Sequence, residues 1–162
     1  MIVPEHKHII VRAEVEKPIT NTTEIRVWVT DLVEKLGMQL AIVEQGYNPV
    51  VAYIDDRGNR GLTALAIIKT SHIACHIWDE LIPALVQLDV YTCSTLEKDK
   101  VLSALDEMKP LKIEYKVLDR EYRLDEKESQ GVESEGEKRG RITAEHLKSQ
   151  GFMGGEKDNA NI

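Results

Sequence analysis

Short spacing between apolar segments in the middle of the chain is the feature that most limits its fold. Four segments rich in β-branched and other apolar residues are typical of strands: 50–54, 62–69, 71–78 and 86–93. The connections between them are too short for the crossovers that parallel strands require. The sequence therefore predicts a largely antiparallel sheet in this region.

Two amphipathic segments add helices to this sheet. Between residues 25 and 36 apolar side chains recur at three- and four-residue steps, with Trp28 among those expected in the core. Asn21 has capping spacing before this segment, and Gly37 is a suitable end. A second helix is predicted at 97–108. Further strands are predicted at 7–15, 38–43 and 112–118, so the fold class is α+β, a two-layer sandwich of a largely antiparallel sheet with two helices on one face.

The composition changes near residue 121. Residues 121–162 are rich in Glu, Lys, Gly, Ser and Gln and poor in large apolar residues. Such a segment cannot bury enough apolar surface to offset the entropy lost on ordering. We therefore predict one domain at 1–120 and a charged, disordered tail at 121–162, with a short helix near 143–150 as a further option.

Charge and cysteine content limit the partners and the compartment. The net charge of −7 disfavours nucleic acid, because neutralising phosphates needs a basic surface. No apolar run is long enough to span a bilayer, and the N-terminus lacks the apolar stretch of a secretion signal. Cys75 and Cys93 form no disulfide framework. We expect a cytoplasmic protein with reduced thiols and neither membrane nor nucleic-acid partners.

Reactive polar residues lie inside the apolar strand segments. Ser71, His72 and His76 fall in one predicted strand, and Cys93 ends the next. Because polar groups are costly to bury without partners, this set indicates a built site. His72 is expected only to orient or pack.

A metal site is not predicted. His72 and His76 would lie about 13 Å apart along a strand, too far to share one ion. His6 and His8 share a strand face and are expected to be a surface pair.

The constellation closely resembles that of the prokaryotic S-adenosylmethionine decarboxylases. In that family the serine of a Ser-His-x-x-x-His-x-Trp segment becomes a pyruvoyl group, and a Thr-Cys pair follows. Ser71, His76 and Cys93 match these positions. The resemblance covers residues 5–119 and implies the same α+β architecture.

The resemblance implies self-cleavage between Thr70 and Ser71. The Ser71 hydroxyl would attack the Thr70 carbonyl to give an ester. Elimination and hydrolysis would then leave a pyruvoyl group and ammonia. Residues 1–70 would become one chain and residues 71–162 the other. The pyruvoyl group would take the substrate amine as a Schiff base and supply the electron sink that amine-forming decarboxylation needs.

The resemblance also implies roles for other residues. His76 matches the proton acceptor of self-cleavage, and Cys93 matches the residue that returns a proton to the substrate carbon. Thr63 matches a hydroxyl residue that could stabilise the oxyanion during cleavage. Trp78 and Glu80 match positions near the substrate.

Two departures from the family leave the substrate open. Thr70 stands where the family often has Glu, and loop 55–60 lacks an aromatic residue that stacks on adenine. Asp55 and Asp56 in that loop would suit a cationic amino acid. The first reading is S-adenosylmethionine decarboxylation, which supplies aminopropyl groups for spermidine. The alternatives are a pyruvoyl-dependent ornithine or arginine decarboxylase and an unprocessed regulatory or binding homologue.

A homodimer is also expected. The segment 62–68 is apolar on both faces in places. One layer of helices can cover only one of those faces. The resemblance implies the same assembly.

Overall fold

The computed structural model describes residues 5–131 of the chain. Its helices are α1 (Thr22–Lys35) and α2 (Lys98–Ser103), and a short 3-10 helix spans Asp106–Met108. The strands are β1 (Lys7–Val15), β2 (Val50–Ile54), β3 (Gly61–Ile68), β4 (Ser71–Trp78), β5 (Ala84–Thr92), β6 (Pro110–Asp119) and β7 (Asp125–Gln130).

All seven strands form one sheet in the order β2-β3-β4-β5-β1-β6-β7. Every neighbouring pair is antiparallel. The N-terminal strand β1 lies between β5 and β6, which come from the second half of the chain. The predicted α+β fold with an antiparallel sheet is confirmed.

Helix α1 begins where the sequence supplies a cap. The Asn21 side chain accepts hydrogen bonds from the backbone N–H groups of Thr23 and Glu24, at 2.7 and 3.2 Å. These bonds satisfy donors that have no partner within the helix. Trp28 lies in the core, as predicted, and its indole N–H donates to the carbonyl of Ala104 at 3.0 Å. That bond ties α1 to the end of α2.

The strand predicted at 38–43 is wrong. This segment makes only an isolated bridge between Leu40 and Ile68. The Asn48 side chain takes the place of a neighbouring strand, because its amide bonds both the N–H and the carbonyl of Ile67 at 3.0 and 2.6 Å. One asparagine therefore satisfies backbone groups that a longer strand would have paired.

The helix predicted at 97–108 is interrupted. Regular α-helix ends at Ser103, and the chain continues as the 3-10 turn before Lys109, whose φ is 51°. A residue before proline is disfavoured in helix, and Pro110 follows directly.

The predicted tail boundary at residue 120 is corrected by β7, which pairs with β6. Its sequence is charged because nearly every side chain faces solvent. A strand at the edge of a sheet can form on backbone hydrogen bonds alone. The rest of the predicted tail, including 143–150, lies outside the described residues.

The two faces of the sheet differ in chemistry. One face carries both helices and the apolar core. On the other face, called here the open face, strand alternation places polar and reactive residues beside exposed apolar ones. The exposed apolar residues of this face include Ile10, Val50, Leu65 and Ile67, each between 43% and 60% exposed. Among residues 5–131, no helix is long and apolar enough to cross a membrane.

Candidate active site at the β3–β4 turn

The predicted cleavage bond lies at a two-residue turn. Ile68 pairs with Ser71, so Lys69 and Thr70 alone connect β3 to β4. Ser71 has a φ of 150°, a backbone conformation that side-chain-bearing residues rarely adopt. Strain of this kind costs roughly 1–3 kcal/mol and is concentrated at functional sites. The structure thus places its strained serine at the predicted bond.

The carbonyl of Thr70 is held by a backbone donor. The N–H of Cys93 donates to this oxygen at 2.8 Å. A donor at this distance can stabilise negative charge that develops on the oxygen. The buried Thr92 hydroxyl donates to the Thr70 hydroxyl at 3.2 Å and fixes the same residue through its side chain.

The hydroxyl of Ser71 contacts His72 and not His76. Ser71 Oγ lies 3.3 Å from Nδ1 of His72. On its other side, Nε2 of His72 lies 4.0 Å from the Asp89 carboxylate, which also contacts Nε2 of His8 at 2.5 Å. Serine, imidazole and carboxylate therefore form a line from β4 to β5, and His8 extends it to β1.

Cys93 has a polar neighbour on β5, which also contacts the residue just before β1. Its thiol donates to the Tyr91 hydroxyl at 3.9 Å, and Nδ1 of His6 lies 2.9 Å from the same hydroxyl. Burial, and then the hydrogen bond with Cys93, raises the pKa of Tyr91 above its ordinary value. Tyr91 therefore remains a neutral phenol beside the thiol at neutral pH.

The other cysteine has a different environment. Cys75 faces the core and is fully buried. Burial raises the pKa of its thiol to about 12. A thiol of that kind packs as a small apolar group and is unreactive. Cys93 is the cysteine suited to chemistry.

The remaining predicted residues collect near the far end of β4. Thr63 pairs with His76 across the β3–β4 ladder, and its hydroxyl lies 3.1 Å from Nδ1 of His76. The rings of His76 and Trp78 lie 5.9 Å apart. The indole N–H of Trp78 donates to the Asn59 side chain at 2.9 Å, which joins the strand to the β2–β3 loop.

Glu80 also binds this loop. Its carboxylate accepts a hydrogen bond from the backbone N–H of Arg60 at 3.3 Å. The Arg60 guanidinium lies 3.4 Å from the buried carboxylate of Asp79. The predicted substrate residues and the loop between β2 and β3 therefore form one cluster.

The structure thus divides the predicted residues between two clusters. We call them the Ser71 end (Thr70, Ser71, His72, Asp89, Cys93) and the Trp78 end (Asn59, Thr63, His76, Trp78, Glu80). His76 is five residues from Ser71 on an extended strand, a separation of about 16 Å. One chain does not bring His76 or Thr63 to the cleavage bond.

Sequence reasoning missed several residues in or next to the Ser71 end. Asp89 and Tyr91 alternate on β5 and share the open face, a pattern visible in the sequence. His8 was expected in a surface pair, but its side chain is only 13% exposed and contacts Asp89. The missing information was the register that brings β1 beside β5. Within the described residues, no group of three or more His, Cys, Asp or Glu side chains is arranged to hold a metal ion.

Comparison with known proteins assigns the family. Residues 7–121 match the family model described as S-adenosylmethionine decarboxylase. A similar protein from Archaeoglobus fulgidus, an S-adenosylmethionine decarboxylase proenzyme, is 30% identical over 108 residues, which are 65% of this chain and 86% of the relative. A crystal structure of the adenosylmethionine decarboxylase from Aquifex aeolicus VF5 shares the fold at 22% identity, with a TM-score of 0.53, over 80% of this chain and 100% of that one. The chain belongs to the S-adenosylmethionine decarboxylase family.

Proposed function

We propose that this chain cleaves itself between Thr70 and Ser71 and then acts as a pyruvoyl-dependent decarboxylase of S-adenosylmethionine. The observation that carries the proposal is the arrangement at the scissile bond. The Cys93 N–H donates a hydrogen bond to the Thr70 carbonyl, and the next residue, Ser71, has a strained backbone.

The groups around the bond suit an acyl shift from the Ser71 nitrogen to the Ser71 hydroxyl oxygen. Attack by Ser71 Oγ on the Thr70 carbonyl places negative charge on the carbonyl oxygen. The Cys93 N–H is oriented toward that oxygen and needs no rearrangement to stabilise it. Thr70 provides the attacked carbonyl with its backbone, so the family's Glu is not required at this position.

The resulting pyruvoyl group supplies the electron sink for decarboxylation. The residues of the Ser71 end fit such a group at position 71. Cys93 lies beside it through the Thr70 contact and is assigned the return of a proton to the substrate carbon. Trp78 and Glu80 are assigned to the nucleoside part of the substrate, as an aromatic face and a carboxylate.

The distance between the two ends of β4 implies a dimer with shared sites. His76 is assigned as a proton acceptor in self-cleavage, but about 16 Å of strand separates it from Ser71 in one chain. In such a dimer, the open faces of two subunits would pack against each other, related by a two-fold axis near the middle of β4. This arrangement would place the partner subunit's His76 opposite Ser71. The same axis would create two identical sites.

The open face has the surface that such a dimer requires. Ile10, Leu65 and Ile67 are exposed on its central strands, between the two ends of β4. Stacked sheets bury such residues between them at a spacing of about 10 Å. Apolar residues at the centre with reactive groups around them fit an interface that contains the active sites.

Denaturing electrophoresis and intact mass test the self-cleavage. Wild-type protein should give fragments 1–70 and 71–162, the second blocked by a pyruvoyl group at its start. Ser71→Ala should remain one chain. Ser103→Ala, which removes a hydroxyl from α2, is the matched control and should cleave normally. Wild-type protein that stays whole after long incubation would instead support the unprocessed binding homologue.

The substrate is tested against the alternative of a basic amino acid. Asp55 and Asp56 favour that alternative, but Arg57 and Arg60 in the same loop balance their charge. We therefore expect S-adenosylmethionine to be preferred. Release of carbon dioxide should be measured from carboxyl-labelled S-adenosylmethionine, ornithine and arginine. A preference of more than tenfold in kcat/KM for ornithine or arginine, about 1.4 kcal/mol, would establish the alternative.

A further inference from the structure

We propose that His72, supported by Asp89, is the base that removes the hydroxyl proton of Ser71 in the first step of self-cleavage. The inference rests on the proposed function and adds a catalytic residue to it. His76 is thereby left for a different proton in the same sequence of steps.

His72 is the imidazole that touches the reacting atom. Its Nδ1 lies 3.3 Å from Ser71 Oγ, within reach of a hydrogen bond that the hydroxyl donates. His76 lies five residues further along β4 and bonds Thr63 instead. A general base must reach the proton that it takes, so geometry selects His72.

The neighbouring carboxylate of Asp89 favours the His72 tautomer that this role requires. Arg120 Nη1 lies 3.4 Å from Nδ1 of His8, and a guanidinium can only donate. Nδ1 of His8 is therefore the acceptor, and its proton is on Nε2, which donates to Asp89. The same Asp89 oxygen, Oδ1, lies 4.0 Å from Nε2 of His72, an electrostatic contact longer than a hydrogen bond. A proton on Nε2 of His72 leaves Nδ1 free to accept from Ser71.

Asp89 also stabilises the charge that the step creates. When His72 takes the proton, it becomes a cation 4.0 Å from the Asp89 carboxylate. Opposite charges at that distance attract each other, which lowers the energy of the ion pair that the step forms. His8, which in turn contacts Arg120, bonds the same carboxylate oxygen, so the position of Asp89 does not depend on His72 alone.

The step balances without any further reactant. The proton moves from Ser71 Oγ to Nδ1 of His72 as the bond from Oγ to the Thr70 carbonyl carbon forms. The carbon–nitrogen bond between Thr70 and Ser71 then breaks, and His72 gives the proton to the departing Ser71 nitrogen. The product is an ester. A second base is needed only afterwards, when the Cα proton of Ser71 is removed and the ester is eliminated.

A variant that stops before the acyl shift can therefore be distinguished from one that stops after it with hydroxylamine, which cleaves an ester but leaves an amide intact. Precursor of His72→Gln should accumulate and resist hydroxylamine, with cleavage at least about 100-fold slower than wild type. Asp89→Asn should slow cleavage by a smaller factor, about tenfold. Precursor of His76→Ala should be cut by hydroxylamine at position 70, because it stops after the shift.

Chemical rescue separates a catalytic role from a structural one. Imidazole added to His72→Ala should restore cleavage, whereas Ser71→Ala should not respond. Absence of rescue overturns the proposal whether or not the variant is less stable. Cleavage of His72→Gln within about threefold of wild type, or an ester in that variant, overturns it as well. If wild-type protein itself does not cleave, the proposed function fails. If only the His72 results disagree, the proposed function stands and His72 is not the base.

Discussion

The Ser71 end and the Trp78 end belong to one strand but are completed in different ways. At the Ser71 end, β4, β5 and the residue after β5 together supply the strained serine, the carbonyl donor, the imidazole and the carboxylate. At the Trp78 end, Trp78 and Glu80 are held chiefly by a loop, through Asn59 and Arg60. The acyl shift can therefore be assembled within one chain. In the proposed function, the later steps need groups from both ends.

This difference follows from the geometry of a strand. His72, His76 and Trp78 all face the open side because they alternate along β4. A motif that is short in sequence is long in space when it is extended. Residues that match one family motif can therefore belong to two different active sites of a dimer.

The largest expected effect is the rescue of cleavage in mixed dimers, which tests whether the two ends of β4 act in different sites. His76→Ala and Ser71→Ala should each remain uncleaved when produced alone. When the two variants are produced together, one site of each mixed dimer regains both Ser71 and His76. About half of the His76→Ala chains should then be cleaved, because random pairing places half of them in mixed dimers. Distinct affinity tags and intact mass identify which chain is cut.

A matched pair shows whether this rescue reports shared sites. Ser71→Ala mixed with His72→Ala should give no cleavage, since both residues are needed at the same end of one chain. If His76→Ala chains stay whole in verified mixed dimers, the shared-site arrangement is wrong.

The next effect concerns turnover alone. Cys93→Ala should still cleave, because the donor on the Thr70 carbonyl is the backbone N–H and survives the substitution. Decarboxylation should fall by at least about 100-fold, since the proton donor is lost. Single-turnover assays on fully cleaved protein measure this.

Cys75 offers the control for this substitution. Its thiol is buried on the core face with a pKa raised to about 12, so Cys75→Ala should leave turnover of the folded enzyme nearly unchanged. A thiol reagent should likewise modify Cys93 and leave Cys75 unmodified until the protein unfolds. Full activity in Cys93→Ala would remove its assigned role.

A smaller effect, on stability, concerns the Trp78 end. An added Cβ at Gly61 would lie 1.8 Å from the carbonyl oxygen of Ile77, on the strand that carries Trp78. Gly61→Ala should therefore lower the free energy of unfolding by about 2–4 kcal/mol and displace the loop that holds Trp78. Gly58→Ala is the control, because Gly58 also has a positive φ but has open space around it. Thermal unfolding compares the two, and equal losses would show that the contact with Ile77 is easily relieved.

The smallest effect lies at the opposite edge of the sheet. Ending the chain after Arg123 removes β7 and the bonds that Glu128 makes with Lys98 and Tyr115. We expect a stability loss of about 1–2 kcal/mol, because the Glu128 side chain that makes these bonds is about half exposed, and unchanged self-cleavage. Ending the chain after Gly131 should change neither its stability nor its self-cleavage. A chain ending at Arg123 that no longer cleaves would show that β7 supports the site.

The sequence predicted local structure better than contacts between strands. The bounds of β4 follow from its apolar alternation, and the helix cap at Asn21 follows from a short motif. The false strand at 38–43 arose because Asn48 satisfies the groups that it would have paired. Strand β7 was missed because an exposed edge needs no apolar pattern.

The same limit applies to the site. Ser71 and Cys93 were found by matching a motif, and their contact through Thr70 fits that match. Asp89 and His8 were missed because their position depends on the register of β1 against β5. That pairing joins segments about eighty residues apart, and no local pattern encodes it.

The position of β1 in the sheet determines the order of folding and cleavage. After the proposed cleavage at residue 70, β1 would belong to the first fragment but remain between β5 and β6 of the second. The fragments are interleaved, so neither can leave without opening several strand pairs. The whole precursor can refold as a single molecule at any dilution, whereas the cleaved protein must bring two fragments together. Folding has to come before cutting, and once the enzyme is cut, its recovery from denaturation depends on concentration.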